Sequence, residues 1–259
     1  IDGLRLDVAY CLNHDFLRRL RSFCDSLKPD FFLLGETLHG DYNQIMNDEM
    51  LHSVTNYECY KGLYSSFNCM NMFEINHSLL RQFGPENWTL YKGKHLLSFV
   101  DNHDVTRVAS ILNNANHLPL IYTLAFGMPG IPCVYYGSEW GATGRKEDGD
   151  PALRVSFDTP IWNDLTTFIS KLAVAKKSSN ALNYGSFSSI VLTNEQCIFL
   201  RQYNDERVLV AINASEQPYF ASFNIGTDTC TDLISGSEIK LNNGMELPGY
   251  SSFILQPFS

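Results

Sequence analysis

The chain has no apolar run of membrane-spanning length, which excludes an ordinary transmembrane helix. It has no basic stripe. Its 19 Lys and Arg stand against 28 Asp and Glu, and the net charge of -9 argues against nucleic-acid binding. It has no Cys-x-x-Cys pair and no histidine partner at zinc spacing, although it carries Cys11, Cys24, Cys59, Cys69, Cys133, Cys197 and Cys230. An odd number without a pairing pattern reads as free thiols in a reducing compartment such as a bacterial cytoplasm, one disulfide in a secreted protein being the open alternative. Nor is there an initiating methionine or a leader. Ile1 opens the chain inside a motif, so the expectation is a fragment whose targeting information is lost with its start, and localisation stays unassigned. What is present is 259 residues, 44% hydrophobic and 13% aromatic, enough for one large domain or one with a small companion.

Three carboxylates stand where apolar runs stop. They are Asp7 after Leu4-Arg5-Leu6, Glu36 after Phe31-Phe32-Leu33-Leu34-Gly35, and Asp104 after Phe99-Val100-Asp101-Asn102-His103. An acid at the end of a buried strand is costly unless it is paired or used. Three on successive strand-like runs point to acids gathered at one face of a parallel sheet. In a barrel of alternating strands and helices, the face at the strands' carboxyl ends carries the chemistry. A carboxylate cluster there suits glycosidic bond cleavage, which needs a proton donor and a nucleophile or base.

Periodicity organises the chain around these runs. In Leu4-Arg5-Leu6-Asp7-Val8 the side chains alternate, so Arg5 and Asp7 share one face. Leu4, Leu6 and Val8 take the other, which would pack against helices. Asn13 is an N-cap for a helix with apolar positions Phe16, Leu17, Leu20, Phe23, Cys24 and Leu27, and Pro29 stops it. Residues 31–34 read as a buried parallel strand. A third strand is predicted over residues 51–57, a fourth over 96–100 and a fifth over 132–136; helices are predicted over 72–83, 118–126 and 162–177. The glycine- and charge-rich stretch 141–151 reads as a mobile or ligand-facing loop. After about residue 182 the period becomes two. Residues 197–203 and 207–213 form a hairpin around Asn204-Asp205-Glu206, and short strands follow to Phe258.

The motif residues resemble a known family. Asp2-Gly3-Leu4-Arg5-Leu6-Asp7-Val8-Ala9, Gly35-Glu36-Thr37, Phe99 to Arg107, and Gly130 to Glu139 are similar, in the same order, to segments of glycoside hydrolase family 13, the α-amylase family. Within it the likeness is to cyclomaltodextrinase-like or neopullulanase-like members. The resemblance implies a (β/α)8 barrel followed by an antiparallel sandwich, but a full barrel has eight strands and about five units precede the sandwich. The family's first segment, an Asp and an Asn-His on the third strand, has no counterpart, and neither has the excursion domain after it. The implied fold class is therefore α/β: the second half of a (β/α)8 TIM barrel, about strand 4 to helix 8, over residues 1–181, then an antiparallel β-sandwich C-terminal domain over residues 182–259.

The same resemblance implies roles. Asp7 is the nucleophile that forms a covalent glycosyl-enzyme, and Arg5 keeps it ionised, a pairing that strand periodicity supports independently. Glu36 is the general acid and then the base. Asp104 binds sugar hydroxyls and favours the distorted transition state, with His103 donating to the same sugar. Arg107 is a substrate-side partner of the acids or else a surface residue. His39 lines an acceptor subsite. Trp140, past the last strand, stacks on sugar, core packing being the plainer reading for it and for Tyr135 and Tyr136. Asn102-His103-Asp104 also looks like a metal cluster, yet no further ligand recurs at spacing, so no metal is assigned. No cofactor is evident; calcium stays open for the intact enzyme, because the family's sites usually involve the excursion domain. Tyr10 and Cys11 stand where many endo-acting amylases have Lys-His, which tilts the reading toward oligosaccharide trimming.

The expected function is a retaining α-glucan hydrolase acting on an α-glucan or maltooligosaccharide. The alternatives are an α-glucan transglycosylase of the same family and a non-catalytic sugar-binding fragment. No nucleic acid and no membrane is expected as partner. Five strands cannot close an eight-strand barrel, so the chain alone is expected to self-associate through its open edge and to lack activity.

Overall fold

A computed structural model describes residues 1–258. Strands β1 (Gly3–Leu6), β2 (Phe32–Gly35) and β3 (Ser53–Val54) lie side by side and parallel, with Leu6 opposite Gly35 and Gly35 opposite Val54. Helix α1 (His14–Leu27) carries the chain from β1 to β2, and Asn13 caps it by accepting from the Asp15 and Phe16 amides. After β3 come α2 (Tyr57–Asn68) and α3 (Met72–Phe83), packed on each other. A parallel bridge from Thr55 to Leu97 brings in β4 (Leu97–Phe99). The short α4 (Val108–Ile111) and α5 (His117–Gly127) lead to β5 (Ile131–Cys133), which pairs parallel with β4. Then follow α6 (Asp150–Leu153), α7 (Asp164–Ser178) and α8 (Asn180–Tyr184). The five strands run in the order β1-β2-β3-β4-β5. They are an open half of a (β/α)8 barrel, and among the described residues the outer edges of β1 and β5 have no partner strand.

The remaining strands are antiparallel. They are β6 (Ser186–Leu192), β7 (Gln196–Tyr203), β8 (Glu206–Asn213), β9 (Tyr219–Ser222), β10 (Thr229–Asp232), β11 (Glu238–Lys240), β12 (Gly244–Leu247) and β13 (Ser251–Pro257). Six form one sheet in the order β11-β10-β13-β8-β7-β6, and β12 pairs with β9 in a small second sheet. The β7–β8 hairpin turns on Asn204-Asp205, with Asn204 at φ 52° in the left-handed region that asparagine tolerates. Along β8 the period of two divides the core. Val208, Val210 and Ile212 join the core shared with the barrel helices, while Leu209 and Ala211 meet Ala221, Met245, Leu247 and Leu255 between the two sheets. Helix α5 is apolar nearly all round because it lies against β5 and α7 on the barrel side and against β8 and β13 on the other.

Several boundaries differ from the periodicity. The third strand shrinks from residues 51–57 to Ser53–Val54, because Asn56 turns the chain into α2 by accepting from the Cys59 amide. That helix is absent from the sequence reading, although Cys59, Leu63 and Phe67 recur at every fourth position and are buried. The fifth strand is Ile131–Cys133 and not residues 132–136. The chain leaves the sheet after Cys133 and turns at Gly137, φ 87°, where a Cβ would meet the Phe157 ring at 2.6 Å. Val8 is not part of β1, and Leu4 is partly exposed rather than packed under a helix. On α1, Leu17 and Cys24 are buried, but Phe23 and Leu27 are 61% and 71% exposed, so the apolar stripe is wider than the face its neighbours cover. The stretch 141–151 holds a 3-10 turn, Lys146–Asp148, and the start of α6. All seven cysteines are free; Cys24, Cys59, Cys197 and Cys230 are buried, while Cys11, Cys69 and Cys133 are exposed. No helix among the described residues is long and apolar enough to cross a membrane.

Candidate active site

Asp7 and Glu36 each lie one residue past the register pair Leu6–Gly35, so the pairing of β1 with β2 sets them side by side at the strands' carboxyl ends. Backbone bonds fix both. The Glu36 amide donates to Leu6 O at 2.9 Å, and the Ala9 amide donates to Glu36 O at 2.9 Å. Arg5, on the same strand face as Asp7, reaches between the two acids. Its Nη1 lies 2.6 Å from Asp7 Oδ1 and its Nη2 3.0 Å from Glu36 Oε1. Glu36 is buried; the Asp7 side chain is 72% exposed. The second Glu36 oxygen, Oε2, accepts from the Val8 amide at 3.1 Å. Val8 aims that amide by adopting φ 46°, ψ 43°, a left-handed conformation that β-branched residues strongly avoid.

Asp104 follows β4. Its Oδ2 meets His103 Nε2 at 3.0 Å and its Oδ1 meets Arg154 Nη2 at 3.0 Å. The Asp104 amide donates to Asn102 Oδ1 at 2.8 Å, and Asn102 Nδ2 donates to the Tyr57 hydroxyl at 2.9 Å. Tyr57 ties this group to the first turn of α2. Burial raises its phenol above the ordinary value against the bond from Asn102, the charges of Glu36 and Asp104 add to the rise, and Arg5 opposes it. One phenol thus feels the acids from β1–β2 and from β4. Tyr57 and Arg154 are both missing from the sequence reading. The signal for Tyr57 was its place just after the Asn56 cap; Arg154 is set by a loop contact 50 residues from its partner, for which sequence spacing holds no cue.

The other expected residues fall in different places. His39 is exposed, its ring 5.5 Å from that of Tyr10, and it lines a cavity of about 580 Å³ with Tyr42, Tyr57, Glu58 and Arg81. Trp140 packs edge-on against Phe157 at 5.1 Å and borders an open groove of about 480 Å³ that Arg154 also lines. Arg107 corrects the expectation of a substrate-side or surface residue, because it is fully buried. Its Nη1 donates to Tyr136 O at 2.9 Å and to Ser138 Oγ at 3.1 Å, and its Nη2 to Leu153 O at 2.8 Å. The guanidinium lies 4.7 Å from the centre of the Tyr135 ring. Ser138 Oγ in turn donates to Asp101 Oδ2 at 2.7 Å, and the Val108 amide donates to the same oxygen at 2.7 Å. Burial pushes the Asp101 carboxyl up to about 6, against these bonds and the nearby Arg107 charge. The segment that presents His103 and Asp104 is therefore pinned from behind to the turn after β5. Among the described residues no group of three or more His, Cys, Asp or Glu side chains is placed to hold a metal ion.

A parallel half-barrel with acids at its strand ends and an antiparallel sheet behind it defines the class of (β/α)8-barrel proteins that carry a C-terminal β domain. The family description "Alpha amylase, catalytic domain" matches residues 1–183, and "Maltogenic Amylase, C-terminal domain" matches residues 190–254. The chain belongs to the α-amylase family, glycoside hydrolase family 13. It is 27% identical over 273 residues to the cyclomaltodextrinase of Thermoanaerobacter pseudethanolicus, covering 99% of this chain and 45% of that protein. It is 29% identical over 268 residues to the maltogenic alpha-amylase of Bacillus acidopullulyticus, covering 95% of this chain and 43% of that protein. The crystal structure of the cyclomaltodextrin glucanotransferase CldA superposes with a TM-score of 0.80 at 25% identity, covering 99% of this chain and 56% of that one. The chain thus spans less than half the length of both relatives.

Proposed function

We propose that this chain carries the catalytic acids of a retaining α-glucan hydrolase that acts on maltooligosaccharides. The observation that supports it most is the Arg5 guanidinium, which holds one oxygen of Asp7 and one of Glu36 at the ends of adjacent strands. A single guanidinium shared by both carboxyl groups keeps them on one side of the strand ends, where a nucleophile and a proton donor could act on the same glycosidic bond. Arg5 occupies Asp7 Oδ1, which leaves Oδ2 as the attacking oxygen. In the first step Oδ2 bonds to the anomeric carbon as the bond to the glycosidic oxygen breaks, and Glu36 gives that oxygen its proton. In the second step water attacks the same carbon, Glu36 takes the water's proton, and the ester to Asp7 breaks. Asp104 and His103 would hold the hydroxyls of the reacting sugar. No step uses a metal or cofactor.

The test uses the protein that contains the complete barrel. Asp7→Asn and Glu36→Gln are each expected to lower turnover of maltotriose by orders of magnitude while leaving the unfolding curve in place. Full activity in either variant would remove that residue from its role. A transglycosylase is the second reading, favoured by the likeness to a cyclomaltodextrin glucanotransferase and by the cavity beside His39, where an acceptor sugar would compete with water. Product analysis on maltotriose separates the two, longer oligosaccharides marking transfer. For the 259-residue chain alone we expect self-association through the β1 edge and the bare face of α1, and no measurable hydrolysis.

A further inference from the structure

A second cavity lies at the amino ends of β4 and β5, the end of the half-barrel opposite to Asp7 and Glu36. It measures about 320 Å³ and is walled by the residues before those strands, by the end of α8 and by β6 and β7. Its lining includes Lys92, Lys94, His95 and Arg201 and no Asp or Glu, in a chain whose net charge is -9. Arg201 is almost wholly buried, as is Lys176 behind it. Arg201 donates to the carbonyls of Gly127 at 2.8 Å, Gly185 at 2.9 Å and Ser186 at 3.1 Å. Lys176 Nζ donates to Leu182 O at 2.8 Å and Met128 O at 3.3 Å, carbonyls next to the lining residues Asn183 and Pro129. The Lys94 ammonium turns away to Asn43 Oδ1 at 2.6 Å and Met46 O at 2.7 Å, and Lys92 Nζ donates to Pro85 O at 3.1 Å. Among the described residues none of Lys92, His95, Arg201 and Lys176 takes part in an ion pair.

Two buried cations without a carboxylate are costly. The C-terminal end of α5, which ends in Gly127, offsets part of the charge, but a helix end carries only about half a unit. The ammonium has three N–H groups and the guanidinium five, so Lys176 keeps one donor and Arg201 two beyond those used. Burial is the main reason these groups hold their protons less firmly, and the neighbouring charges add to it for Lys176 and His95. Burial and Arg201 bring Lys176 down to about 7, burial brings Arg201 down to about 9, and burial, Lys176 and Arg201 lower His95. Tyr184, exposed at the rim, lies 5.7 Å from His95 with the two rings nearly perpendicular and 5.9 Å from the tilted ring of Tyr203.

We propose that this cavity binds a small oxyanion, a phosphate group recognised by Arg201, His95 and Lys92. It would be carried either as the free ion or as the monoester of a phosphorylated sugar whose ring lies on Tyr184. The site is remote from the acids, so the anion would act on the seam between barrel and sheet and not on the reacting bond.

The test is thermal unfolding of the 259-residue chain with sodium phosphate or glucose 6-phosphate, each against sodium chloride of equal ionic strength. The expected result is a Tm rise of roughly 2–4 °C once the anion stands about five-fold above its Kd. The His95 ring resonances should also titrate at higher pH in phosphate than in chloride. Both effects should be lost in Lys92→Ala/His95→Ala, which leaves the buried Arg201 and its carbonyl partners in place, and in Arg201→Met where that variant folds. A larger rise with glucose 6-phosphate than with phosphate assigns the monoester, and equal rises assign the free ion. No rise over chloride with either anion, or an undiminished rise in Lys92→Ala/His95→Ala, overturns the proposal.

Discussion

Replacing Arg107 by alanine should cost stability and not sugar affinity. The guanidinium is buried and makes three hydrogen bonds, to Tyr136 O, Ser138 Oγ and Leu153 O. Hydrogen bonds to a charged group are worth about 1.5–3 kcal/mol each, but they share one side chain and do not add. The firmer measure is the partner left behind. Asp101, linked to Arg107 through the Ser138 hydroxyl, would remain buried without a nearby cation. Breaking such an arrangement by removing one partner costs about 3–5 kcal/mol, a large share of the roughly 5–15 kcal/mol that holds a typical protein. Urea unfolding followed by tryptophan fluorescence should show that loss as a lower midpoint at an unchanged slope. Adding Asp101→Asn to Arg107→Ala should recover part of it, because the stranded charge is gone. A loss under about 1 kcal/mol would refute the reasoning. So would a variant of the complete enzyme that folds normally and shows only a raised KM, since that is the behaviour of a residue touching sugar.

Asp101 should also impose a pH slope. Its carboxyl rises from 3.8 to about 6 on folding, so between those values the folded chain keeps a proton that the unfolded chain has lost. This share of stability is complete below the unfolded value and disappears as pH climbs through the folded one, a change on the order of 3 kcal/mol that Asp101→Asn should abolish in urea titrations at low and neutral pH. Val8→Gly should raise Tm by a few degrees, since the left-handed strain of about 1–3 kcal/mol exceeds the roughly 0.5–1 kcal/mol entropic penalty of glycine; a lowered Tm would mean that the valine methyls matter more than its backbone. Finally, Phe23→Glu with Leu27→Glu on the exposed face of α1 should lower the mass of the isolated chain in light scattering, and an unchanged mass would place the self-contact elsewhere.

The elements most legible in the sequence are those with local stop signals. Asn13 and Pro29 bracket α1, Gly84-Pro85 ends α3, and Asn204-Asp205 closes the β7–β8 hairpin, because each acts through its own backbone preference. The parallel strands are harder to delimit. Only two to four residues of each lie in the ladder, and their ends depend on which neighbour they meet: Thr55 leaves β3 because its partner is already Leu97. Arg5 and Asp7 are legible as a pair because they lie two apart on one strand. The fate of Arg107 is not legible. A charged residue following Asn102-His103-Asp104 looks like part of the site, and only the three-dimensional fold reveals that its hydrogen-bond partners all come from residues 136–153. The open edge leaves its own mark: Leu4 and Phe23 follow the pattern of core residues and yet face water.

Strand β8 is a party wall. One set of its side chains belongs to the core of the barrel helices and the alternate set to the core between the two sheets. Peeling the antiparallel sheet away would leave α5 wet along a whole flank, and loosening α5 would strip the same strand from the other side. The parallel and antiparallel portions therefore have no independent melting of their own. Heat should dismantle them in a single transition, with the amides of β8 among the last to exchange with solvent.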